Sequence, residues 1–282
     1  MFISEKTGRK RRGTSVSELK SLFEQGITVK AICEDLCSFP HTAPSDDIAE
    51  KLKKYDFDVA GLMDSDSGII NGYVRQNELN GGICGDHAIP FREPHLISHS
   101  MPLINVLKVL RDSTYRFVHD GTHVNAIVTR ADMQKPAVRI FLFGLITMLE
   151  MHLTELVNRF YPKDTWKRHL DRKRLDDLQD HFMRMKDRGE NLDLTDLLNF
   201  SDKILLMAIH DECLHILGFY SKKECYKYLH RIRRLRNQLS HGQDIIKGTT
   251  WEEVIDDAAN AEKLIKNCEN NEGINSAPPG RA

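Results

Sequence analysis

The most restrictive feature of this chain is an internal repeat. Ser45, Asp46 and Asp47 precede Ile48 and Leu52, one turn apart, and predict a helix with its N-terminus at those polar residues. Phe57–Met63 then reads as a strand, Asp64–Gly68 as a turn and Ile69–Val74 as a second strand. The order returns later: Met101–Leu110 as helix, Tyr115–Val118 as strand, His119-Asp120-Gly121 as turn and Val124–Val128 as strand. Gly72-Tyr73-Val74 aligns with Ala126-Ile127-Val128. A single strand–helix–strand–strand unit cannot bury its apolar face alone, so the two copies are expected to share a core.

Beyond Pro136 the periodicity becomes helical, with helices expected over Ala137–Tyr161, Trp166–Arg188, Leu194–Leu217, Ser221–His241 and Trp251–Cys268. Thr249 or Thr250 caps the last, and Glu252 and Glu253 lie in its first turn. The expected class is α+β, an N-terminal tandem α/β repeat domain followed by an all-α bundle. Its parts are a basic arm and short helix over 1–26, the repeats over 27–135, the helices over 136–268 and a disordered Asn/Gly/Pro-rich tail over 269–282. In the arm, Lys6, Arg9, Lys10, Arg11 and Arg12 read as a solvated or RNA-contacting segment. Ser15 and Glu18 form a capping-box pattern for the short helix, which Gly26 stops.

A net charge of −1 gives no general pull on nucleic acid, so any such affinity has to come from local clustering of basic residues. The six cysteines are scattered, and no secretory apolar segment follows Met1, so a cytoplasmic, reduced protein is expected. Cys33 and Cys37 read as buried thiols. The apolar run Ile140–Leu149 is too short for a bilayer, which takes roughly 20 residues.

The segment Ile127-Val128-Thr129-Arg130-Ala131-Asp132-Met133 resembles the strand-ending signature of CBS repeats, which pair into a Bateman module. The resemblance implies that Thr129 bonds a phosphate and Asp132 a ribose diol, with an adenine nucleotide (AMP or ATP) as regulatory ligand. An ordinary helix cap is the plainer reading of the same two residues. Arg75 and Glu78 occupy the corresponding places in the first copy, so one nucleotide site per module is expected.

In the helical part, Arg231-Ile232-Arg233-Arg234-Leu235-Arg236-Asn237-Gln238-Leu239-Ser240-His241-Gly242 resembles the HEPN signature. That resemblance implies a ribonuclease with Arg236 and His241 as catalytic pair, Asn237 orienting phosphate or ring, and Arg231, Arg233 and Arg234 holding RNA. His is the side chain suited to moving protons near neutral pH, and an Arg fork matches phosphate geometry, so the reaction needs no metal or other cofactor. Leu229, Ile232, Leu235 and Leu239 form one apolar stripe, while Arg236 lies about 140° from His241 on an ideal helix. A helix ending at Gly242 or a homodimeric cleft would bring such pairs together, and the dimer is favoured. Ile140, Phe141, Phe143 and Leu145 exceed what one bundle face needs and predict a subunit contact. Glu150 and His152 face that cleft or are surface residues. His210, Asp211, Glu212, Cys213 and His215 look like metal ligands but spread around a helix. The expected function is therefore an adenine-nucleotide-regulated endoribonuclease acting on RNA by 2′-hydroxyl attack, with no membrane partner. A non-catalytic, nucleotide-responsive regulator binding RNA or protein is the alternative.

Overall fold

The structure is a computed structural model that describes residues 2–3, 10–11, 21, 25–190, 192–240 and 244–275. The Ser15–Glu18 cap, His241 and Gly242 lie outside the described residues. Within the arm, β1 (Phe2–Ile3) pairs antiparallel with β2 (Lys10–Arg11).

The chain divides into two compact units, one of them Glu24–Val138. That unit holds β3 (Glu34–Asp35), β4 (Ser38–Pro40), α1 (Ser45–Tyr55), β5 (Val59–Met63), β6 (Ile70–Arg75) and β7 (Ile89–Pro90). The second copy follows as β8 (Leu96–Ser98), α2 (Leu103–Arg111), β9 (Tyr115–His119) and β10 (Val124–Thr129). Each copy builds one sheet. β4 runs parallel to β5 across the α1 crossover, β5 and β6 form a hairpin, and β7 closes the edge. In the second sheet β8 runs parallel to β9, β9 and β10 form the hairpin, and the closing strand is β3. The edge strand of the second copy therefore comes from before the first, which interlocks the repeats.

Period-two alternation supplies a shared core. Tyr73 on β6 and Phe117 on β9 are fully buried, with ring centroids 4.7 Å apart, and Leu36, Val59 and Val124 pack around them. A second cluster sets Ile48 and Leu52 of α1 against Ala60, Leu62 and Val74. Each buried Val, Leu, Ile or Phe among them stabilises by roughly 1.5–3 kcal/mol over its exposed form. Gly61 is required on β5 because a Cβ there would come 2.8 Å from the Ile70 side chain.

The polar start of α1 differs from expectation. Pro44 is the capping residue and Ser45 is already helical and buried. Its hydroxyl donates to the Gly81 carbonyl at 2.6 Å, and Asp46 accepts from the Gly81 amide at 2.9 Å. Those side chains anchor the helix to the 81–82 turn instead of capping it. At the other end Asp56 adopts the left-handed conformation (φ 57°, ψ 43°) and donates its amide back to the last turn. α2 starts at Leu103, two residues later than expected, because Pro102 supplies the extended entry.

The other unit contains Arg139 onward and is helical: α3 (Pro136–Phe160, its first turn in the repeat unit), α4 (Arg172–Asp187), α5 (Phe200–Ile209), α6 (Asp211–Leu217), α7 (Lys222–Ser240) and α8 (Trp251–Asn275). α5 packs on α6 and α7, and α8 packs on α6 and α7. Two expected helices are broken. Trp166 falls in a 3-10 segment, Pro162–His169, and α4 begins only where the Asp171 carboxylate accepts from the Arg174 amide at 2.8 Å. The expected Leu194–Leu217 helix is three pieces, because Asn199 caps α5 and His210, extended at φ −106° and ψ 117°, separates α5 from α6. α8 continues past Cys268 to Asn275, so the tail expected over 269–282 begins as helix.

The apolar run also needs correction. It lies inside the 25-residue α3, which by length and composition is long and apolar enough to span a bilayer. Phe141, Leu142, Leu145, Ile146, Leu149 and Leu153 are among its side chains buried within the fold. Of the residues expected to exceed one face, Phe141 and Leu145 are buried, while Ile140 and Phe143 stay exposed.

Candidate functional site

The end of β10 delivers Thr129 and Asp132 to a cavity of about 650 Å³ in the repeat unit. Glu34–Cys37, Asp56–Val59, Thr114, Tyr115, Ile127 and Thr129–Asp132 line it. The cavity thus sits where both copies begin their hairpins, β5 at Val59 and β9 at Tyr115, with the interlocking β3 across from them. Leu36, Phe57, Val59, Tyr115 and Ile127 give it an apolar interior of a size suited to a nucleoside.

Asp132, 7% exposed, is tied down by its neighbours. One carboxylate oxygen accepts from the Thr129 amide at 2.7 Å and from the Thr129 hydroxyl at 2.9 Å. The other lies 2.8 Å from the Lys135 ammonium, which also bonds Glu34 and the Ile32 carbonyl. Burial alone would lower the Lys135 pKa, but hydrogen bonds and charge from Asp132 and Glu34 outweigh it and raise the pKa above its ordinary value. The two expected ligands are therefore bonded to each other, and the Thr129 proton is held by Asp132. Arg130 bonds the carbonyls of Leu110, Arg111 and Ser113. In the first copy Arg75 and Glu78 pair at 2.9 Å, and neither lines the cavity. Cys37 lines it as a thiol whose pKa burial raises; Cys33 and Cys37 are both half-buried, not buried.

Sequence reading missed Lys135, Phe57 and the carboxylates of Asp35, Asp56 and Asp58. Alignment of the copies held a signal for part of this set. Val59 and Tyr115 open corresponding strands, so the residues just before them, Asp58 and Thr114, occupy matching corners.

On α7 the apolar stripe of Leu229, Ile232, Leu235 and Leu239 is buried as expected. Arg236 is half-buried and Asn237 exposed in the last turn; the Arg236 guanidinium reaches the Asn237 side-chain oxygen at 3.5 Å. Two of three neighbouring arginines turn toward the fold. Arg231 Nε lies 2.9 Å from Asp257 on α8, and its Nη2 donates to the Glu253 carbonyl at 3.4 Å. Arg233 bonds Ser201 and, at 2.6 Å, His230. Arg234 is 3.8 Å from Glu253 and half exposed. Of the expected RNA-holding set, Arg231 braces α7 against α8, and Arg234 is the most open of the three.

Asp257 is 4% exposed, and its pKa is pushed up to about 6, by burial first and against the pull of Arg231 and Arg234. Although Arg231 Nε is close, its N–H is not aimed at the Asp257 oxygen, so the attraction lacks a well-formed hydrogen bond and burial prevails.

His152 is a buried residue and Glu150 a partly buried one. His152 is 2% exposed, and Glu150 bonds buried Lys203 of α5 at 3.2 Å. The His210 ring lies tilted to Phe160 and edge-on to Tyr161, and Asp211 and His215 line a separate open depression. Among the described residues no group of three or more His, Cys, Asp or Glu side chains is placed to hold a metal.

No family model matches the sequence, and no curated protein matches it. Solved structures of CBS domains are similar to its N-terminal part. CBSX2 in complex with AMP, a protein of Arabidopsis thaliana, is 20% identical with a TM-score of 0.36, covering 41% of this chain and 98% of its own. The CBS domain of a bacterial CNNM/CorC family Mg2+ transporter in complex with ATP is 15% identical with a TM-score of 0.34, covering 44% and 95%. The CBS domains of a transcriptional regulator from Streptococcus pneumoniae are 16% identical with a TM-score of 0.33, covering 39% and 98%.

Proposed function

We propose that this chain is a ligand-regulated, metal-independent endoribonuclease in which the repeat unit senses an adenine nucleotide and the helical unit cuts RNA. The carrying observation is the cavity of about 650 Å³ at the ends of the two hairpins, lined by Thr129 and Asp132. Phe57 and Tyr115 offer aromatic faces for a base, and Asp132 keeps acceptor capacity toward a ribose hydroxyl. Ligand acts by binding one arrangement of the protein better than another, a coupling typically of about 1–3 kcal/mol.

In the helical unit Arg236 supplies charge to the phosphate and His241 moves the 2′-hydroxyl proton, leaving a 2′,3′-cyclic phosphate and a 5′-hydroxyl. Asn237, exposed one residue beyond Arg236, orients the phosphate. A homodimer would set two such pairs in one cleft, with exposed Ile140 and Phe143 at the subunit contact. The second reading, a non-catalytic regulator whose helices bind RNA or protein, gains from one observation: Arg231 and Arg233 have partners inside the fold, which leaves a thinner basic surface.

The test is cleavage of structured and unstructured RNA in EDTA, with and without AMP and ATP. Cyclic-phosphate ends are expected, with loss on the order of 100-fold or more in Arg236→Ala and His241→Ala proteins of unchanged helix content. Full rates in both variants would remove Arg236 and His241 as the catalytic pair, and no cleavage by the intact chain would leave the binding regulator.

A further inference from the structure

The cavity carries a charge pattern that bears on which adenosine derivative it takes. Five carboxylates, Glu34, Asp35, Asp56, Asp58 and Asp132, line it against one guanidinium, that of Arg130. Lys135 neutralises two of them, bonding Asp132 and Glu34 from outside the lining. Asp35, Asp56 and Asp58 have no ion-pair partner among the described residues, and Lys53 and Lys54 in the last turn of α1 are not part of the lining. The α1 C-terminus, which ends at Asp56, adds the negative end of its helix dipole on the same side.

The donors of Thr129 and Arg130, at the strand end, are already engaged. The Thr129 amide and hydroxyl both donate to Asp132. Arg130 donates to three backbone carbonyls, and its own amide bonds the Thr114 carbonyl at 3.0 Å. A phosphate group entering here would therefore meet unbalanced carboxylates at the mouth and occupied donors at the strand end. A base and an uncharged or cationic ribose substituent would meet an apolar interior and free acceptors.

We infer that the cavity ranks adenosine derivatives by the charge at their 5′ position, holding a cationic or neutral nucleoside more tightly than AMP, and AMP more tightly than ATP. This rests on the adenine reading above and specifies which end of that class the site reports. The repeat unit then responds to adenosine more readily than to its phosphorylated forms.

Isothermal titration calorimetry of the full chain at low ionic strength without divalent cations tests the ranking. The probes are 5′-amino-5′-deoxyadenosine, adenosine, AMP and ATP, which share base and ribose. Affinity is expected to fall along that series, with AMP on the order of 10-fold weaker than adenosine. Raising salt should improve AMP binding and leave adenosine unchanged, because screening weakens only the charged contact. In an Asp35→Asn/Asp58→Asn protein the gap between adenosine and AMP should narrow. The salt series on the unaltered chain stands as the independent measurement if that variant misfolds. AMP or ATP binding as tightly as adenosine would overturn the ranking while leaving adenine sensing intact. Failure of all four probes to bind would overturn both.

Discussion

The Glu150–Lys203 pair gives an asymmetric prediction. Lys203 has a side chain only 5% exposed, against 21% for Glu150, and one bond of 3.2 Å joins them across α3 and α5. Glu150→Ala would strand an ammonium in the bundle core. Breaking a buried pair from one side costs about 3–5 kcal/mol, and the partial exposure of Glu150 places this case near the lower end, about 3 kcal/mol. Lys203→Met removes the buried charge while keeping the length of the stem, and leaves a carboxylate that water can reach, so about 1 kcal/mol is expected. The double variant should resemble Lys203→Met, because the stranded charge is then gone. Urea unfolding followed by helix circular dichroism reads the difference. With a slope of roughly 1.5 kcal/mol per molar urea, Glu150→Ala should lower the midpoint by about 2 M and Lys203→Met by less than about 1 M. Equal losses, or a larger loss in Lys203→Met, would show that the pair contributes through packing and not through the buried charge.

Asp257 should make stability depend on pH in the direction opposite to most carboxylates. Its carboxyl is raised from 3.8 to about 6, so between those values the folded chain holds a proton that the unfolded chain has released. Stability from this group is fully present below about 4 and is lost as pH rises through about 6. At most about 3 kcal/mol is involved, and urea midpoints for Asp257→Asn should lack that part of the pH slope. Asp202→Ala removes a two-pronged contact with Arg174, at 2.6–3.2 Å, and the bond to the Asn199 amide at the start of α5. About 3 kcal/mol should be lost in thermal unfolding, and retention of stability would show the clamp to be idle. Asp132→Ala should weaken calorimetric adenosine binding, and also destabilise the repeat unit by about 1–2 kcal/mol through the freed Thr129 amide.

Local pattern determined much of this protein. Alternation of apolar residues set both hairpins, and the repeat placed the strand ends at Val74 and Val128, one residue short of the observed ends at Arg75 and Thr129. The spacing of Leu229, Ile232, Leu235 and Leu239 fixed the buried face of α7, since only a 3.6-residue period brings them together. Helix breaks were less visible, because Asn199 and His210 interrupt apolar runs that continue on either side. What the sequence could not reach were partners distant along the chain. β3 closing the sheet of β10, Lys135 reaching Glu34, and Arg231 turning to Asp257 each join segments whose encounter depends on packing. The type of a residue does not reveal whether its charge faces water or a buried partner. Tertiary structure decided that: it gathered five carboxylates around one cavity and turned Arg231 inward to brace α7 against α8.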